Sequence, residues 1–196
     1  MTMKHNTREQ WLMAGLELLK PLFTSADAKV PKKIRVSCGF PSRSALSVKR
    51  TRIGECWSDK ASGGNYFEIF VSPLLNDPVR VLDVLTHEVV HAVVGLECGH
   101  KKPFRKVALA VGLTGKMTAT VAGPQLTERI NGIVKQLGTY PHDQLNKMTT
   151  GKPKKDKCRL LKAACPGCGY TIRVTRKWID EAGLPACPCG EQLVEE

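Results

Sequence analysis

His87-Glu88-Val89-Val90-His91 sits inside the apolar run Val79–Leu96. The run reads as a helix, with Asn76 or Asp77 as its cap and Pro78 in its first turn. Four residues span slightly more than one helical turn, so both imidazoles project from one face and can share one Zn²⁺. Glu88 lies beside them, where a carboxylate can take a proton from an activated water. Val81, Leu82, Val84, Leu85, Val89, Val90, Val93 and Val94 surround the pair with apolar side chains. Two unpartnered imidazoles and a carboxylate are costly in such surroundings, and a cation supplies the missing partner.

A catalytic zinc takes three protein ligands and keeps one position open. Three residues past His91 the chain has Val94, and three further on Glu97, so the Gly and His of the metzincin pattern are missing. A glutamate on a later helix is the gluzincin alternative, and Glu128 is available for it. His100 is the better third ligand. It follows Gly95 and Gly99, which let the chain turn back, and three of the five histidines fall within the fourteen positions 87–100. Asp83, four residues before His87, is on the same helical face, either as an acceptor that orients an imidazole or as a solvated residue.

The motif together with His100-Lys101-Lys102-Pro103-Phe104 resembles the SprT-like metallopeptidases, the group that includes the Spartan proteases of DNA–protein crosslinks. The likeness is strong over Asp77–Leu113. It implies His87, His91 and His100 as ligands of a catalytic zinc and Glu88 as general base. It also implies a small mixed α/β zincin-like domain, with a helix, a short antiparallel sheet and then the metal-site helices.

The 196 residues suffice for one domain with a sizeable core and a small appendage. Apolar content is 42%, no run reaches membrane-spanning length, and Met1–Gln10 lacks the apolar segment expected of a secretory signal. A cytoplasmic, monomeric protein without a membrane partner is the expectation. Five of the eight cysteines lie in the last 40 residues. Cys165/Cys168 and Cys187/Cys189 read as the four thiolates of a structural zinc, a ribbon like that following the peptidase domain in many SprT-like proteins. The second pair has one intervening residue where the first has two, which leaves open that Cys158 replaces one ligand. Cys38, Cys56 and Cys98 read as small apolar fillers. The expected organisation is a peptidase domain over 1–147, a basic linker over 148–158 and the ribbon over 159–196.

Other elements follow from periodicity and turn residues. Asn6–Phe23 reads as a helix that Pro21 ends or kinks, Ile34–Phe40 as a strand, and Thr51–Trp57 with Tyr66–Val71 as a hairpin. Tyr66–Val71, if at the sheet edge, would align an extended substrate. Phe104–Leu113 and Gln125–Leu137 read as helices and Tyr170–Arg176 as a strand.

The net charge of +12 is concentrated. Lys152–Lys177 has nine basic residues and one acidic, and Lys29–Arg52 has eight basic and none acidic. This favours a polyanion, nucleic acid before others, and the SprT-like resemblance implies DNA, single-stranded or damaged. The expected contacts are Lys152, Lys154, Lys155, Lys157, Arg159, Arg173, Arg176 and Lys177, with Tyr170 and Trp178 available for base stacking or for the ribbon core. A zinc-dependent endopeptidase acting on protein substrates at or near DNA is the leading expectation. The alternative is a non-enzymatic nucleic-acid-binding or adaptor protein on the same scaffold.

Overall fold

The computed structural model describes residues 5–47, 49–146 and 160–196. The chain divides into two compact units, Met1–Thr149 and Thr150–Glu196.

In the first unit, helix α1 spans Arg8–Ser25 and begins with a capping box between Thr7 and Gln10. Its apolar face buries Trp11, Leu12, Leu16, Leu19 and Phe23, each worth about 1.5–3 kcal/mol on burial. Pro21 lies inside α1 and does not end it. The ring forfeits one backbone donor there, but burial of Leu22 and Phe23 in the following turn outweighs the loss.

Strands β1 (Ile34–Cys38), β2 (Gly54–Trp57) and β3 (Phe67–Val71) form a sheet in the order β1-β3-β2. β2 and β3 are the expected hairpin, but β1 runs parallel to β3, so the sheet is mixed and not antiparallel throughout. The strand over 66–71, which at an edge would align a substrate, is central. Its residues Ile69 and Val71 are buried, and pairing on both sides satisfies its backbone. The free edge beside the motif helix belongs to β2.

Helix α2, Pro78–Val94, starts where the Asp77 carboxylate accepts from Arg80 N at 2.9 Å. It is buried on nearly all sides, which explains its almost continuous apolar sequence. Gly15 allows α1 to approach it, since a β-carbon there would lie 2.8 Å from Leu82 Cδ2. α2 ends at Gly95, whose φ of 85° strains any L side chain. Helix α3 (Lys102–Ala110) is followed by strands β4 (Leu113–Lys116) and β5 (Ala119–Ala122) and by helix α4 (Pro124–Leu137). α3 is therefore shorter than the expected 104–113, because Leu113 already pairs with Ala122. Sequence periodicity did not reveal the β4–β5 hairpin.

The second unit pairs β6 (Leu161–Ala164) with β7 (Thr171–Val174) and β8 (Val194–Glu195), and adds helix α5 (Arg176–Ala182). Its core is small: Ala163, Cys165, Cys187 and Leu193, with Ile172 and Leu184 against it. So little apolar surface does not fold a unit by itself, and the cysteine cluster must carry part of the cost. Among the described residues no helix is long and apolar enough to cross a membrane.

Candidate metal centre

α2 presents His87 and His91 on one face, and the turn through Gly95 and Gly99 returns His100 to them. His91 Nε2 lies 3.2 Å from His100 Nε2, which lies 3.3 Å from His87 Nε2. A tetrahedral ion with Zn–N bonds of about 2.0–2.1 Å requires N···N edges of roughly 3.3 Å. Two of the three edges thus stand at the separation that one such ion needs, and all three donors lie within 4.8 Å of one another. Phe104 of α3 supports all three rings, with centroid distances of 5.0, 4.5 and 4.8 Å to His87, His91 and His100. Glu128 is exposed on α4 and outside the histidine group.

Burial, and after it the neighbouring histidine charges, lowers His87 to about 3; burial and then His100 lower His91 to about 4. His100 is lowered too, chiefly by burial. The rings are therefore neutral near pH 7, the form that coordinates a cation. The Glu88 side chain lies under β2, where burial pushes its carboxyl up to about 8. It makes no hydrogen bond to the described residues and lines the same cleft as the histidines. That leaves both its oxygens available to a water.

The cleft is about 850 Å³. One wall is the free edge of β2, and the other is Thr118–Thr120 of the β4–β5 hairpin. Beside the cleft, Glu55 accepts from Ser42 N at 2.8 Å, Ser42 Oγ at 2.8 Å, Trp57 Nε1 at 2.9 Å and Arg52 at 2.6 Å, fixing the approach to β2.

Asp83 neither orients an imidazole nor faces solvent: it is buried and bonded to Arg80. The partner of His87 is Thr120, whose Oγ1 lies 2.7 Å from Nδ1. No local pattern marks Thr120, because it is 33 positions away on a four-residue strand. Cys56 is buried in the core, as expected of a small filler, and also lines the cleft.

In the second unit Cys165 Sγ lies 3.5 Å from Cys189 Sγ, and Cys168 Sγ 3.4 Å from Cys187 Sγ. All four sulfurs lie within 4.8 Å of one another, positioned to hold a metal ion with no open side required. The backbone N–H of Cys168 is the largest influence holding the Cys165 thiol down to about 7. The shortened Cys187/Cys189 spacing is accommodated, since both join the cluster. Cys158 lies outside the described residues.

So do the expected DNA contacts Lys152, Lys154, Lys155, Lys157 and Arg159 and the whole of the basic linker, 148–158. Arg173, Arg176 and Lys177 are exposed. Arg176 is held by Glu195, with Nη1 donating at 3.0 Å, and Lys177 is 3.9 Å from Glu181. Arg173 alone of the three has no ion pair among the described residues. Tyr170 and Trp178 are 50% and 56% exposed, so neither serves the ribbon core.

No family model, curated protein or solved structure matches this chain.

Proposed function

We propose that the chain is a zinc-dependent metallopeptidase of SprT-like type that hydrolyses peptide bonds of proteins bound at or near DNA. The observation that carries this reading is three converging Nε2 atoms beside an unbonded glutamate in a cleft bordered by a free strand edge. A zinc ion bound there would polarise a carbonyl and acidify a water. A dication at the histidines would hold Glu88 ionised despite its burial, and the carboxylate then accepts the proton of the attacking water and returns it to the leaving amine, which balances the hydrolysis. The edge of β2 aligns an extended polypeptide by backbone pairing, a mode that suits protein substrates and places no demand on their sequence. The cysteine cluster takes a second, structural zinc. The excess charge of the 152–159 segment supplies the attraction to DNA.

Purified full-length protein is incubated with casein or a basic DNA-binding protein, with and without single-stranded DNA and chelator. Cleavage is expected in the wild type, absent with chelator, and lost in Glu88→Gln while both metals remain. Equal cleavage by wild type and Glu88→Gln sinks the peptidase. DNA binding with no cleavage under any condition favours the adaptor reading.

A further inference from the structure

We propose that Thr120 is the positioning residue for the first cation ligand, its hydroxyl oxygen accepting the Nδ1–H of His87 and so aiming the Nε2 lone pair into the triad. The inference rests on the histidines as cation ligands and not on peptidase activity.

Thr120 is 5% exposed and sits 2.7 Å from the ring nitrogen, on an element separate from the helix that carries His87. The direction of the bond follows from the other nitrogen. Nε2 of His87 faces His100 Nε2 at 3.3 Å, so it must keep its lone pair free to coordinate, and Nδ1 must carry the proton. A hydroxyl meets that proton without adding charge. Neither His91 nor His100 has a protein partner at Nδ1 among the described residues, so this bond fixes one of the two rings that meet His100 Nε2. The carboxylate that the helix itself offers, Asp83, is already engaged by Arg80.

The hairpin is built to hold the hydroxyl there. Leu113 is fully buried at the start of β4, and Gly115, opposite Thr120 in the register, takes a φ of 86°. Phe104 of α3 packs against the His87 ring at 5.0 Å between centroids, so the ring is held by a second element as well. Hydrogen-bond partners of this kind are worth about 10–100-fold in metal affinity.

The test uses the full chain and Co²⁺ as the probe, titrated against a competing chelator. The cysteine cluster is recognised by thiolate-to-cobalt charge transfer, which the histidine site lacks. Thr120→Val keeps shape and loses the acceptor; Thr120→Ser keeps the acceptor and loses a methyl. Thr120→Val is expected to weaken the histidine site about 10–100-fold with the cysteine site unchanged, and Thr120→Ser to restore affinity to within a few-fold. Wild-type affinity in Thr120→Val overturns the proposal. So does equal loss in both variants, which would assign Thr120 to packing. A second readout needs no variant: ¹⁵N imidazole shifts of the metal-free wild type should show His87 as the Nδ1–H tautomer, and the Nε2–H tautomer refutes the assignment. A wild type that binds Co²⁺ without peptidase activity leaves the proposal standing. A wild type whose histidines bind none removes it together with the peptidase.

Discussion

Gly54 is where the edge strand crosses Glu88, and Gly54→Ala tests whether that crossing has any slack. A β-carbon at Gly54 would lie 2.5 Å from Glu88 Oε1 and 2.6 Å from Val84 Cγ1. Its φ is outside the left-handed region, so the glycine is needed for space and not for conformation. Ordinary contact begins near 3.4 Å, so the carboxylate or the strand must retreat by about 0.9 Å. Overpacking of this kind costs about 1–3 kcal/mol. A misplacement near 1 Å costs roughly 100-fold in rate when the displaced group is catalytic. Denaturant titration, metal analysis and turnover of a protein substrate are measured on the same preparation. The expected result is lower stability and a roughly 100-fold loss of turnover with the metal retained. Wild-type stability and turnover in Gly54→Ala would refute the argument. Loss of the metal would show that the wedge shifts the whole helix and not the carboxylate alone.

In the metal-free protein, His87 and His91 are depressed to about 3 and 4. Their contribution to stability is full above about pH 6.5 and lost as the pH falls toward those values. Glu88 has the opposite sign: raised to about 8, it contributes below about pH 4.5 and loses that contribution as the pH rises through 8. Denaturant titrations from pH 4 to 9 should therefore show an alkaline decline that Glu88→Gln removes, a gain of up to about 3 kcal/mol at pH 7; an unchanged decline in the variant contradicts the assignment. Cys165→Ser should unfold the second unit and leave the histidine site able to bind metal, as read by metal analysis and proteolysis. Loss of both sites together would show that the units depend on each other. If about four of the cations within Lys152–Lys177 touch phosphates, single-strand affinity should fall with a log–log salt slope of roughly −3, and truncation after Thr150 should lose most of it. Binding by the truncated chain as tight as full length at equal salt would move the interface elsewhere.

The sequence by itself determined the features that repeat within a turn or two of chain. The helix around His87 and His91, the Asp77 cap, the glycines at 95 and 99 and the paired cysteines were legible because their spacing expresses local geometry. His100 was legible for the same reason, nine residues from His91 across two glycines. Tertiary structure decided the remainder. Only packing placed β3 at the sheet centre and β2 at its edge, since both strands alternate and neither reports its neighbours. Pro21 stayed within α1 because the buried turn after it outweighs one lost donor. Thr120 joined His87 through a hairpin whose four-residue strands are too short to show a period, and that hairpin drew Leu113 out of the expected helix. Asp83 went to Arg80 because burial withdraws its carboxylate from water and Arg80, one turn before it, offers the charge. Local periodicity fixes which residues face one way, whereas strand order and the partner of a buried polar group depend on contacts between segments distant in sequence.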